Sequence, residues 1–104
     1  MVKVDYDYKW DILYVYKEGE KAKFSVEVLD NFVVDIDFKG QAMGLEILNA
    51  SSVLKVSKKE LKEIKTAKLA TLIKGELYWV MYSLQFNKSS LESELQIPVG
   101  ARLR

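Results

Sequence analysis

A mainly β (α+β) fold is what this sequence predicts: an antiparallel meander and hairpins of about seven to eight strands, with one short helix near residues 58–65. Three observations predict it. Apolar and polar residues alternate with a period of two along most of the chain, as half-buried strands require. Small clusters of Gly, Asp, Asn and Ser interrupt that alternation where chains turn. Ser57-Lys58-Lys59-Glu60 has the spacing of a helical capping box.

Taken in order, Val2, Val4, Tyr6 and Tyr8 alternate with Lys3, Asp5 and Asp7, and Lys9-Trp10-Asp11 turns the chain into a second strand, Ile12 to Lys17. Glu18-Gly19-Glu20 is the next turn. A third strand carries Phe24, Val26 and Val28 on one face and stops near Asp30-Asn31. These three strands read as an antiparallel meander. Phe32, Val34, Ile36 and Phe38 then form one face of a strand, and Met43, Leu45 and Ile47 one face of the next, with Lys39-Gly40 as the turn. With Phe38 opposite Gln41, the pairs Ile36/Met43, Val34/Leu45 and Phe32/Ile47 are all apolar, and a slip of one residue destroys the match. Asp35, Asp37 and Glu46 fall on the other face, with Gly44 opposite Asp35.

Beyond Asn49-Ala50-Ser51, the capping box opens the helix, on which Leu61 and Ile64 share a side. Strands resume at Ala67 to Lys74, turn at Gly75-Glu76, and continue from Leu77 to Phe86. After Asn87-Lys88-Ser89-Ser90 the last strand runs from Leu91 to Ile97, and Pro98, which cannot donate to a ladder, marks an edge or an end. No repeat, low-complexity tract or linker divides the chain, so residues 1–104 are expected to form a single domain.

Composition excludes several kinds of chemistry. The 104 residues include 16 basic and 15 acidic side chains, a net charge of +1, so no overall field favours nucleic acid or a membrane surface. No cysteine is present, which removes disulfides, thiolate metal sites and thiol nucleophiles. With no histidine either, the commonest metal ligand and proton shuttle is missing. No cofactor is expected. Met1 to Tyr8 lacks the apolar core of a secretion signal and no apolar run reaches the roughly 18 residues of a membrane span, so a cytoplasmic location is expected. Charge carried mostly by Lys and Glu, with few Asn and Gln, fits a thermophile.

The residues Tyr6-Asp7, Asp11-Ile12-Leu13-Tyr14-Val15, Val34-Asp35-Ile36-Asp37, Gly40 and Gly44-Leu45-Glu46-Ile47-Leu48-Asn49-Ala50-Ser51 carry a family likeness. Over residues 4–55 the chain resembles the short prokaryotic proteins of domain of unknown function 2283, most specifically at the Gly-x-Glu-Ile-x-x-Ala-Ser end. That resemblance implies a strand, turn, strand and hairpin ending at Ala-Ser. It implies no settled activity. Because such proteins are often encoded beside small toxin-like proteins, it suggests an antitoxin-like or partner-binding role.

Four groups of residues are candidates for function. Asp35, Asp37 and Glu46 could converge on a hard cation, joined by Asp5, Asp7 and Asp11 if the first strand is a neighbour, or two of them could act as general acid and base. The alternative is a solvated polar sheet face. Gly44 marks either a bulge beside a site or room for a large cross-strand neighbour. Ser51 is either a nucleophile with no base to activate it or part of a cap. Lys55, Lys58, Lys59, Lys62, Lys65 and Lys68 form a basic stretch interrupted by Glu60 and Glu63, a solvated helix face rather than a phosphate site.

Leu77 to Leu84 is apolar on both faces, so it is either central in a two-layer core or covered by a second subunit. Tyr78, Trp79 and Tyr82 are its candidate interface residues, and a homodimer is expected. The function expected is therefore a protein-binding interaction module, with an enzyme using Asp35, Asp37 and Glu46 as the alternative.

Overall fold

The computed structural model describes residues 1–97. It contains eight strands: β1 (Val2–Asp7), β2 (Ile12–Lys17), β3 (Ala22–Val28), β4 (Phe32–Asp37), β5 (Ala42–Leu48), β6 (Thr66–Lys74), β7 (Leu77–Gln85) and β8 (Ser90–Ile97). Two short helices, α1 (Ala50–Leu54) and α2 (Lys58–Lys62), join β5 to β6. Every pairing is antiparallel, in a five-stranded sheet of order β1-β2-β5-β4-β3 and a three-stranded sheet of order β6-β7-β8. The expected mainly β architecture is what the chain adopts. Pro98 lies outside the described residues; β8, the strand before it, is an edge of its sheet.

The strand order corrects one expectation. β1, β2 and β3 do not form a meander, because β2 pairs with β5 and β3 lies at the far edge beside β4. Strands β2 to β5 thus make a Greek key, in which β3-β4-β5 is the meander and β2 returns beside β5. Side-chain pairing explains the choice. Leu13 sits opposite Ile47 and Val15 opposite Leu45, and all four are fully buried. The strands with the most apolar inner faces therefore occupy the middle of the sheet, and the weaker β1 and β3 take its edges.

The β4–β5 hairpin has Phe32 opposite Ile47, Val34 opposite Leu45 and Asp35 opposite Gly44, as its apolar pattern predicts. Nearer the turn the register shifts, and Ile36 faces Ala42 rather than Met43. The cause is the turn. A two-residue loop at Lys39-Gly40 would need a positive φ at Lys39 in either of the favoured turn types. Here Gly40 alone takes one, at 82°, and Asp37 pairs with Gln41 across a three-residue loop. Met43 is then the extra residue that restores the predicted pairing further along.

Inner faces of the two sheets pack together, with β6 lying across β1, β2 and β5. One apolar cluster fills the space between them, including Leu13, Val15, Val34, Leu45 and Ile47 from the larger sheet and Leu69, Val80, Tyr82, Leu84 and Leu95 from the smaller. Leu61 of α2 joins it, and Ile64 packs against it. Two hydrogen bonds tie the β4–β5 turn to the second sheet: Ala42 N donates to Thr71 Oγ1 at 2.8 Å, and the Tyr78 hydroxyl donates to the Gly40 carbonyl at 2.5 Å.

The helical segment differs from the single helix expected over 58–65. Its capping box is present as predicted, with the Ser57 hydroxyl accepting from Glu60 N and the Glu60 carboxylate accepting from Ser57 N. However, α2 is one short turn, because Ile64 is drawn toward the core and β6 begins at Thr66. The preceding helix, α1, has no sequence signal of its own. It forms because Asn49 adopts a left-handed conformation at φ 54° and turns the chain inward, burying Ala50 and Leu54. Among the described residues no helix is long and apolar enough to cross a membrane.

Candidate functional site

Alternation along the strands of the larger sheet puts Asp35, Asp37 and Glu46 on its outer face, as expected, but the three do not share a centre. Asp35 accepts from the Tyr14 hydroxyl at 2.7 Å through one carboxylate oxygen and from the Ser25 hydroxyl at 2.5 Å through the other. Asp37 is buried in the turn, where its Oδ1 accepts from Lys39 N at 2.8 Å and Gln41 N at 2.9 Å. These amide bonds, Gln41 first, outweigh the cost of burial and hold the Asp37 carboxyl below its usual range. Glu46 sits between Tyr14 on β2 and Val33 on β4. Among the described residues no group of three or more acidic side chains is placed to hold a metal ion. The carboxylates here act as acceptors for the protein's own donors.

Tyr14 organises this face. Its ring stacks on Tyr16 at 4.9 Å between centroids and extends across β5 to reach Asp35. It can do so because Gly44 lies beneath it: a Cβ there would stand 2.6 Å from the tyrosine hydroxyl oxygen. Of the two readings of Gly44, room for a large neighbour is the one the geometry shows. Burial first, then the hydrogen bond and charge of Asp35, push ionisation of the Tyr14 phenol well above its ordinary value.

Ser51 has a structural partner. Its hydroxyl donates to Asp11 Oδ2 at 2.6 Å, its amide reaches the same carboxylate at 3.1 and 3.2 Å, and the Tyr6 hydroxyl donates to Asp11 Oδ1 at 2.7 Å. Ala50 N adds a bond to the Asp11 carbonyl. Asp11, itself left-handed at φ 56°, thereby fastens the β1–β2 turn to the start of α1. Burial alone would raise its pKa. The donors from Ser51 and Tyr6 and the charge of Lys58 more than cancel that and hold the carboxyl low. Tyr6, Asp11 and the Ala-Ser pair, which carried much of the family likeness, are thus one latch. Asp5 and Asp7 are separated from the Asp35 hairpin by β2.

In the basic stretch, Lys58 and Lys62 lie over the Tyr8 ring at 5.1 and 4.7 Å, cation–π contacts that hold α2 against the β1–β2 turn.

The second sheet carries the remaining candidates. Tyr82 is in the core at 4% exposure, and Tyr78 is a half-buried inner-face residue packed against it. Neither is presented to a second subunit. Burial is the main cause that raises the ionisation of both phenols. Trp79, half-buried, points the other way, onto an outer face that no other element among the described residues covers.

That face has three rows across the strands: Lys68–Ser83–Glu92, Ala70–Met81–Glu94 and Leu72–Trp79–Gln96, with Lys74 beside Leu77 at its end. Leu72 is 46% and Leu77 43% exposed. A shallow depression of about 520 Å³ lies over Lys68, Ala70, Met81, Ser83, Glu92 and Glu94. Sequence reasoning singled out Trp79 and missed its flanks. Their signal was available as period-two alternation, Lys68/Ala70/Leu72/Lys74 on β6 and Glu92/Glu94/Gln96 on β8.

Comparison with known proteins places a likeness on part of this chain. It is 50% identical over 60 residues to an uncharacterized protein of Methanocaldococcus jannaschii, covering 58% of this chain and 51% of that protein. It is 35% identical over 65 residues to a putative hypoxanthine phosphoribosyltransferase of Methanosarcina mazei, covering 62% of this chain and 52% of that protein. The chain thus spans about half the length of the curated relatives it matches. No solved structure matches. Residues 3–51, which form the five-stranded sheet and the beginning of α1, match the family described as Protein of unknown function (DUF2283).

Proposed function

We propose that this chain is a protein-binding module whose docking surface is the outer face of the β6-β7-β8 sheet. One observation carries the reading: Leu72, Trp79, Met81 and Leu77 form an apolar strip on the side of that sheet opposite the core, flanked by charged rows. A contiguous apolar patch with a polar rim is what protein interfaces have, and Trp and Met are enriched there. The outer face of the larger sheet is of a different kind. Its polar groups Tyr14, Ser25 and Asp35 are bonded to one another. The family resemblance, which lies on the five-stranded sheet, adds an antitoxin-like role for the chain, with a small toxin-like protein held by a part of it other than this surface.

Site-specific photo-crosslinking in cells tests it. A photoreactive residue in place of Leu72 should form covalent adducts with protein, whereas one in place of Glu27, on the larger sheet, should not. Equal yields at both positions, or none at Leu72, would overturn the reading.

A further inference from the structure

Resting on that docking surface, we propose that its occupant is a second copy of this chain, packed face to face about a two-fold axis that runs roughly parallel to β7. The argument is charge complementarity along the rows. β6 presents lysines, Lys68 and Lys74; β8 presents glutamates, Glu92 and Glu94; the apolar residues of β7 lie between. The ion pair found among the described residues joins Lys3 to Glu18, on the other sheet, so these charges are not paired with one another across β7.

Two symmetric ways exist to stack such a face on itself. An axis parallel to the strands keeps each row at its own level and exchanges the edges, so β6 of one copy lies over β8 of the other. Lys68 of each copy then approaches Glu92 and Glu94 of the other, twice per dimer, and Trp79 and Met81 of one meet Trp79 and Met81 of the other at the centre. An axis perpendicular to the strands instead lays β6 over β6 and β8 over β8; centred on the sheet, it brings Lys68 toward Lys74 and Glu94 toward Gln96, so no lysine meets a glutamate. Like charges across an interface oppose association, and opposite charges fix orientation. The charge pattern therefore selects the parallel axis. Aligned stacking of this kind is also how sheets pack in sandwiches, at about 10 Å with strands within about 30° of each other.

The size of the face marks the contact as a weak, reversible one. Three strands at a spacing of about 4.8 Å, with some nine residues at about 3.4 Å each, give a patch of roughly 450 Å² per copy, in the range of transient contacts. The dimer should dissociate on dilution through the micromolar range, and more readily at high salt, where the Lys–Glu pairs are screened.

Sedimentation of the full chain across a dilution series is the first test, expected to show a concentration-dependent dimer. Trp79→Lys should abolish it. Lys68→Glu alone, and Glu92→Lys with Glu94→Lys, should each weaken self-association by about tenfold or more. Mixed together, those two charge variants should form a heterodimer, because every contact is again between opposite charges. The perpendicular axis predicts the reverse sign, since Lys68→Glu would then face Lys74 and strengthen the dimer. A wild-type chain that stays monomeric, charge variants that dimerise as well as wild type, or a mixture that fails to associate would each overturn the proposal. If the wild type is monomeric while a photoreactive residue at position 72 captures a different protein, the docking surface stands and the second copy is excluded. Failure of both removes both.

Discussion

Gly44 and Tyr14 occupy one place in the sheet: the ring that reaches across β5 to Asp35 uses the space a side chain at Gly44 would fill. A Cβ there would stand 2.6 Å from the Tyr14 hydroxyl oxygen and 2.9 Å from Asp35 Oδ2. Gly44→Ala should therefore destabilise the protein by about 1–3 kcal/mol, the usual cost of overpacking. Adding Tyr14→Ala should remove the larger part of that cost, leaving only the contact with the Asp35 carboxylate. Urea unfolding of the two single variants and the double variant measures this coupling, and purely additive effects would contradict the account.

The Asp11 latch makes a second prediction. Asp11→Ala leaves the Ser51 and Tyr6 donors without their acceptor and should cost about 2–3 kcal/mol, within the range for hydrogen bonds to charged groups. Ser51→Ala and Tyr6→Phe should each cost less, and either should have little further effect once Asp11 is gone. Denaturant midpoints at constant m-value are the readout.

Acid should weaken the fold through two carboxyls, Asp11 and Asp37, whose folded values lie below the ordinary ones. A depressed folded pKa means the stabilisation is present above the unfolded value, about 4, and is lost as pH falls through the folded value. Stability measured between pH 6 and pH 2 should therefore decline less steeply in Asp11→Asn than in wild type. At the alkaline end the sign reverses. Tyr6 and Tyr14 ionise above their ordinary value in the folded state, so their contribution is complete below about pH 10 and lost above it.

Divalent cations give a fourth test. A cation that bound only the folded protein at one hundred times its Kd would stabilise it by about 2.7 kcal/mol. With Asp35 accepting two hydroxyls and Asp37 two amides, millimolar Mg²⁺, Ca²⁺ or Mn²⁺ should leave the melting temperature within about 1 °C, by that same relation. A clear rise abolished by Asp35→Asn would instead support metal-dependent chemistry on this face.

Local signals in the sequence located every strand, because alternation and turn residues act over a few positions. Ser57 and Glu60 likewise announced α2. What depends on distant pairing was not legible. Nothing near β2 says that Val15 will meet Leu45 instead of a residue of β3, and the start of α1 is fastened to Asp11, forty positions away, through Ser51. The chemistry at the candidate site was half legible for the same reason. Asp35, Asp37 and Glu46 could be placed on a face, but the hydroxyls of Tyr14 and Ser25 that occupy Asp35 come from strands whose order the pattern does not state. Trp79 and Tyr82 were both read as interface residues, yet they are an odd number of positions apart. In a strand that separation sends one to each side.

The return of β2 to lie beside β5 has a kinetic consequence. The β1–β2 and β3-β4-β5 units are closed by short turns and can form early, whereas the seam between them waits until β3 and β4 are in place, since the contact order of that pairing is high. Seam contacts should then be absent from the folding transition state. Stopped-flow measurements should show Val15→Ala chiefly accelerating unfolding, and Val34→Ala, inside the meander, chiefly slowing folding. A folding rate that falls equally in both would mean that the seam closes before the barrier is crossed.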